Sequence, residues 1–235
     1  MWATCFVMAT SPSGASGGTL GALGCGMTMP RAVLFDLLTA LLDSWTVWNA
    51  TAGSERAGRA WRAEYLRRTY GCGAYRPYET LVREAAAATG LPEKVADALE
   101  ARWLDLPVWS GAQAVLDALS GRAKLAVVTN CSQRLGRLAA ARLATNWDCI
   151  VTAEEAGHYK PDPRPYRLAL AQLGVAPHDA AFVAGSAFDL VGTAAVGLRT
   201  YWHNRVGLTR PDNVPPPDFS APTLDLLIPW LERRA

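Results

Sequence analysis

Asp36 closes an apolar run, Ala32-Val33-Leu34-Phe35, and is followed by Leu37-Leu38-Thr39-Ala40-Leu41-Leu42-Asp43. A carboxylate at the C-terminal tip of a buried strand stands where open α/β sheets expose reacting groups. Such a group can attack an electrophilic centre and carry it as an ester. Position 38 is a leucine. Transfer of a phosphate with a poor leaving group needs an acid at that point, a second aspartate, to protonate the departing oxygen. Without it, the chemistry points to a leaving group that departs unaided.

Three further segments carry polar groups at strand ends. Thr129-Asn130-Cys131-Ser132 follows Val127-Val128. Hydroxyls and free backbone N–H groups at a helix start suit an anionic oxygen, and Ser132 also reads as an N-cap. His158-Tyr159-Lys160-Pro161-Asp162-Pro163 contains one of only three lysines (Lys94, Lys124, Lys160), fixed before a Pro-started helix, so its ammonium is a positioned charge. Gly185-Ser186-Ala187-Phe188-Asp189 ends on a carboxylate that opens a helix. His158, His178 and His203 lack metal-ligand spacing. Cys131 has no histidine evidently paired with it, which argues against a cysteine nucleophile. Trp45, Trp48, Trp61, Trp103 and Trp109 read as packing, with a share of them lining an apolar pocket over Asp36.

The elements that must position these groups alternate. Residues 31–37 form a buried strand, too short a run for a helix. Residues 45–105 then change to helical spacing, with three helices near 47–70, 77–89 and 92–104, separated by Gly71-Cys72-Gly73 and Gly90-Leu91-Pro92. A helix over 111–120 follows. Strands at Lys124–Val128, Cys149–Thr152, Ala180–Val183 and Arg199–Trp202 alternate with helices at Ser132–Ala144, Pro163–Leu173 and Asp189–Val196. Residues 211–217, with four prolines, read as a surface connection and 223–233 as a closing amphipathic helix. The pattern predicts an α/β fold, a doubly wound parallel sheet with a Rossmann-like core (31–44 and 106–235) and an inserted all-helical cap (45–105).

Composition narrows the function classes. At 235 residues and half hydrophobic, the chain can bury one sizeable core. A net charge of +2 with no basic stripe argues against nucleic acid as a partner. Nothing approaches the ~20 apolar residues that span a bilayer. Five cysteines without a CxxC pair argue against a zinc site and a disulfide framework, and fit a reducing cytoplasm. Residues 1–30 have no charged side chain and match a signal peptide poorly; they read as a flexible extension, or as an upstream start before Met27 or Met29.

In their order and spacing, the four strand-end segments and the helical insert resemble the haloacid dehalogenase superfamily over about residues 31–235. The L-2-haloacid dehalogenases resemble the chain most within it, since their first motif also carries a single aspartate. The insert segment Ala60-Trp61-Arg62-Ala63-Glu64-Tyr65-Leu66 resembles the one bearing that family's active-site arginine, and Lys160-Pro161-Asp162-Pro163-Arg164-Pro165-Tyr166 and Trp202-His203-Asn204-Arg205 also match. The resemblance implies Asp36 as nucleophile, with Lys160, Asp189 and Arg62 as its catalytic partners. Thr129, Asn130, Tyr166, Ser186, Leu38 and Thr39 would bind substrate. It implies a 2-halo acid or related activated acid as substrate, no metal or other cofactor, and it allows a homodimer. The chain departs from the pattern at Ala40, where the family has threonine and Thr39 stands one place early. It departs again at Ala184 and Ser186, which replace serine and asparagine, and at Leu38, which replaces an aromatic residue. Two alternatives remain open: a phosphatase of the same superfamily holding Mg²⁺ at Asp36 and Asp189, and a catalytically weak scaffold that binds a small acid or a protein.

Overall fold

The first strand, β1 (Ala32–Phe35), is covered on both faces, and its four side chains divide between two cores. The computed structural model describes residues 29–233, so nearly all of the expected N-terminal extension lies outside the described residues. After β1 come four helices, α1 (Ser44–Thr51), α2 (Glu55–Gly71), α3 (Tyr78–Ala88) and α4 (Lys94–Ala101), then a 3₁₀ turn at Trp103–Asp105 and α5 (Ala112–Leu119). The chain continues through β2 (Lys124–Thr129), α6 (Gln133–Ala140), β3 (Cys149–Thr152), the single turn α7 (Ala153–Ala156) and α8 (Pro163–Leu173). It ends with β4 (Ala180–Ala184), α9 (Asp189–Val196), β5 (Arg199–His203), β6 (Phe219–Ala221) and α10 (Leu227–Leu231).

The six strands form one parallel sheet in the order β3-β2-β1-β4-β5-β6. From β1 the chain builds outward through β2 and β3, then returns to the other side of β1 for β4. The strand order therefore reverses between β1 and β4, and the crevice beyond their C-terminal ends is where such sheets hold ligands. Asp36 N–H donates to the Val183 carbonyl at 2.9 Å, which carries the pairing one residue past β1 and sets Asp36 at that crevice. The alternation of β1 decides its packing. Val33 and Phe35 join α5, α6 and α10 in one core, while Ala32 and Leu34 join α8 and α9 in the other.

Four differences from the sequence reading stand out, three of them with a local cause. The helix expected over 47–70 is two, because Gly53 turns the chain at φ 81° and Ser54 restarts it as an N-cap, accepting from Ala57 N–H at 3.2 Å. The helix expected to Ala144 stops at Ala140. A sixth strand pairs in parallel with β5; its three residues are too few to show a period. The closing helix shortens to Leu227–Leu231, with Pro229 in its first turn, where a missing N–H costs no helical bond.

Gly192 on α9 packs closely against α8. A Cβ there would collide with the Tyr166 ring and stand 2.6 Å from the Pro161 carbonyl oxygen. Gly192→Ala should therefore cost about 1–3 kcal/mol of stability by overpacking. The check is the urea midpoint, which should fall at unchanged slope.

Candidate active site

The turn after β1 folds back on the carboxylate it presents. Thr39 N–H at 2.9 Å, the Thr39 hydroxyl at 2.5 Å and Ala40 N–H at 3.1 Å all donate to Asp36 Oδ2. Asp36 Oδ1 takes a different donor, the Lys160 ammonium at 2.8 Å. Burial would raise the Asp36 carboxyl, but the Lys160 charge and the hydrogen bonds from Lys160 and Thr39 outweigh it and hold Asp36 below the ordinary value of 3.8. Asp36 is a buried, ionised carboxylate.

Lys160 bridges two carboxylates, reaching Asp189 Oδ1 at 2.9 Å. Burial would lower its ammonium; the charges of Asp189 and Asp36 and their hydrogen bonds raise it above 10.5. Asp189 opens α9, and Tyr166 on α8 donates its hydroxyl to the same Oδ1 at 2.9 Å. Burial raises the Asp189 carboxyl above 3.8; the nearby Asp36 charge adds to this, and Lys160 only partly opposes it. The two carboxyls are thus driven in opposite directions, which separates a nucleophile from a base. The backbone on either side of Lys160 is tied down as well. Lys160 N–H donates to Asn130 Oδ1 at 2.7 Å and Asn130 Nδ2 donates to the Lys160 carbonyl at 2.9 Å.

The helical insert supplies the opposite wall. Arg62, Leu66 and Tyr70 recur at i, i+4 and i+8 on α2 and face a cavity of about 210 Å³ above Asp36. The Arg62 guanidinium is buried, lies 4.0 Å from the centre of the Trp45 ring, and donates from Nη1 to Ser44 Oγ at 2.8 Å. Among the described residues no carboxylate forms an ion pair with it. Burial pulls its proton affinity below the ordinary arginine value, yet an arginine stays charged. Tyr65 ties the insert to the core by donating its hydroxyl to the Asn130 carbonyl at 2.9 Å.

Asp36, Lys160, Asp189, Arg62, Leu38, Thr39, Asn130 and Ser186 all meet at this cavity. Two of the expected binding residues stand elsewhere. Thr129 is buried beside Cys131 Sγ, 3.7 Å from its hydroxyl, and Tyr166 is buried behind Asp189, so both support the site without lining it. Asn130 lines the cavity, but both atoms of its amide are spent on Lys160. Residues 211–217 are largely a surface connection, yet the stretch after β5 also reaches the site. Leu208, Thr209 and Pro211 line the cavity and Val214 is buried, because Asn204 folds the chain back through two hydrogen bonds to Leu208. Tyr70 and Phe188, whose rings lie 4.9 Å apart, were not anticipated. The i, i+8 spacing from Arg62 was the signal for Tyr70. Of the tryptophans, Trp45 and Trp48 line the cavity, whereas Trp61 and Trp103 are fully buried packing.

The residues present fit a bound Mg²⁺ poorly. Both Asp36 oxygens are already engaged, the Lys160 ammonium stands between the two carboxylates, and the Leu38 carbonyl accepts from Ser44 N–H at 3.3 Å. Among the described residues no group of three or more His, Cys, Asp or Glu could hold a metal. No helix of the described residues is long and apolar enough to cross a membrane.

A family model for haloacid dehalogenase-like hydrolases matches residues 30–197. The phosphoserine phosphatase of Thermus thermophilus is 36% identical over 149 residues, which is 60% of this chain and 59% of that protein. The chain thus matches less than two thirds of that phosphatase. The (S)-2-haloacid dehalogenase 1 of a Pseudomonas species is 30% identical over 195 residues, 75% of this chain and 85% of that one. Among solved structures, one described as a dehalogenase superposes with a TM-score of 0.76 at 26% identity, covering 87% of this chain and 98% of its own.

Removing Lys160 would leave two buried carboxylates facing each other. Lys160→Met should cost about 3–5 kcal/mol at pH 7. The lowered Asp36 value means its stabilisation is present above the unfolded value near 3.8 and is lost as pH falls through the folded one. The raised Lys160 value means its share is present below 10.5 and lost as pH rises through the higher folded value. Denaturation of both proteins from pH 7 down to pH 3 should show the gap narrowing; a constant gap would contradict this electrostatic origin.

Proposed function

The chain belongs to the haloacid dehalogenase-like hydrolases, and we propose that it displaces halide from a short 2-halo acid through an ester on Asp36. The observation that carries this reading is Arg62. A buried guanidinium with no carboxylate partner among the described residues faces the same small cavity as an ionised aspartate. That pairing suits an anionic substrate whose neighbouring carbon is attacked. Leu38 lines the cavity where a phosphate-transferring enzyme would need its acid, which favours a halide over an alcohol as leaving group. The similarity to a 2-haloacid dehalogenase over 85% of that protein's length points the same way.

In this reading Asp36 Oδ1 attacks the carbon bearing the halogen, a C–O bond forms, and the halide leaves with the bonding electron pair. Lys160 keeps Asp36 ionised and aligned until then. The planar fork of Arg62 holds the substrate carboxylate or receives the halide, and the apolar wall of Trp45, Trp48 and Leu66 excludes water from the nucleophile. The helical insert acts as the cap that brings these groups over the core. Water then attacks the ester carbonyl carbon, and the negative charge develops on Oδ2, where three donors already converge. Asp189 Oδ2, which makes no hydrogen bond among the described residues, takes the proton from that water. Collapse then breaks the Cγ–Oδ1 bond, the departing alkoxide takes the proton held on Asp189 and leaves as a 2-hydroxy acid, and Asp36 keeps one oxygen from solvent and loses its own proton to water. No metal takes part.

One observation favours a second reading. The similarity to a phosphoserine phosphatase supports phosphate transfer with Mg²⁺, which would need the Asp36 and Asp189 oxygens and the Leu38 carbonyl as ligands. The engagement of Asp36 and of the Leu38 carbonyl, together with the missing acid at position 38, counts against it. Parallel assays of halide and phosphate release, with chelator and with Mg²⁺, separate the two: halide release untouched by chelator is expected, and chelator-sensitive phosphate release alone would replace the first reading.

A single turnover in ¹⁸O water should leave the label in the Asp36 side chain and not in the first product, as mass spectrometry of the Asp36 peptide would show. The same mechanism fixes the acid limb of kcat. Asp189 must be ionised to accept a proton and its carboxyl is raised, so the rate should fall above the ordinary carboxylate value of 3.8, before Asp36 protonates. Asp189→Asn should remove that limb and lower kcat by about 10²–10⁴-fold.

A further inference from the structure

The three donors on Asp36 Oδ2 come from a single turn, and that turn is held from outside by residues far away in sequence. The carbonyl of the Thr39–Ala40 peptide, whose N–H donates to Oδ2, accepts the indole N–H of Trp109 at 3.0 Å. The next carbonyl, Ala40 O, lies 2.8 Å from Nδ1 of His203, which is fully buried at the end of β5. A carbonyl only accepts, so Nδ1 carries the proton. Burial lowers the His203 imidazole below its ordinary value, and the Ala40 and Pro222 carbonyls only partly oppose it. On the opposite side Gly185 lies flat against the same peptide: a Cβ there would collide with the Thr39 carbonyl carbon, the Thr39 hydroxyl and the Ala40 nitrogen.

We propose that Trp109 and His203 are positioning residues for the nucleophile, holding the Thr39 and Ala40 carbonyls so that the Ala40 N–H and the Thr39 hydroxyl stay aimed at Asp36 Oδ2. The physical reason is directional. A peptide unit is planar, so a donor on its carbonyl fixes the direction of its N–H on the far edge. Trp109 therefore acts on Asp36 through one rigid plane. His203 locks the following plane and prevents the turn from rotating. Gly185 leaves the space the turn needs to approach β4. These contacts also polarise the peptide, which strengthens its N–H as a donor. The consequence falls on the second chemical step, when the charge on Oδ2 develops, and this kinetic part rests on the ester mechanism proposed above.

The test uses Trp109→Phe, which keeps a ring and removes the N–H, with His203→Leu and His203→Asn. Asparagine places an amide N–H near the position of Nδ1. Hydrogen exchange of the Ala40 amide, followed by NMR, should quicken by about tenfold or more in Trp109→Phe and His203→Leu, with β1 and β4 amides still protected and His203→Asn close to wild type. With a 2-halo acid, the same two variants should release a first equivalent of halide at nearly the wild-type rate, then turn over about tenfold more slowly as the ester accumulates. Wild-type Ala40 protection in both Trp109→Phe and His203→Leu would overturn the proposal whatever the substrate. Failure of the wild-type enzyme to release halide would instead end the dehalogenase reading, while the exchange result would still decide the role of Trp109 and His203. If Trp109→Phe does not fold, His203→Leu and its asparagine rescue carry the same readout.

Discussion

The ammonium of Lys160 lies between the carboxylates of Asp36 and Asp189, 2.8 and 2.9 Å away, with all three groups nearly removed from water. Burying charges this deeply is tolerated only when each is paired and its remaining hydrogen-bonding capacity is used. Much of the surrounding architecture follows from that demand. Asn130 clamps the backbone on both sides of Lys160, Tyr166 adds a donor to Asp189, and the turn after β1 closes three donors around Asp36. The partners come from segments that follow different strands, and from α8. The parallel sheet, by reversing its strand order between β1 and β4, is what brings those segments together.

The core and the helical insert divide the work by chemistry. The core contributes the charged triad on rigid strand ends. The insert contributes one further cation, Arg62, set in an aromatic wall. Its interior is a chain of ring contacts: Trp48 with Trp61 at 4.5 Å, Trp48 with Tyr65 at 5.5 Å and Tyr65 with Tyr78 at 5.4 Å. These rings meet tilted or edge to face, and such packing holds its geometry well, so Arg62, on the same helix as Trp61 and Tyr65, has a defined position. Hydrogen bonds from Tyr65 to Asn130 and from Trp103 to Leu135 join this unit to the sheet layer.

The departures from the family pattern become physically readable in three dimensions. Ala40 has lost the hydroxyl that the pattern carries there, yet its backbone N–H still reaches Asp36, and the Thr39 hydroxyl one place earlier supplies a third donor to the same oxygen. At position 186 a serine shapes the cavity floor with a shorter side chain, and Leu38 makes the wall beside Asp36 apolar. The site is charged at its base and apolar beside it.

Much of this was legible in one dimension. The buried strand before Asp36, the alternation of short strands and helices, and the positioned lysine followed from residue type, period and spacing. Those properties are local, or repeat often enough to be counted, and the ordered motifs marked Asp36, Lys160, Asp189 and Arg62 as a set. The sequence by itself therefore determined the fold class and the charged groups. Only the tertiary structure decided what stands around them. Thr129 and Tyr166 stand behind the cavity lining, Leu208 and Pro211 line it, and Trp109 and His203 grip the turn beneath Asp36. Trp109 is separated from Thr39 by 70 positions and His203 from Ala40 by 163. Contacts of that range depend on how strands are ordered in a sheet and where chain segments return, and no local period records either.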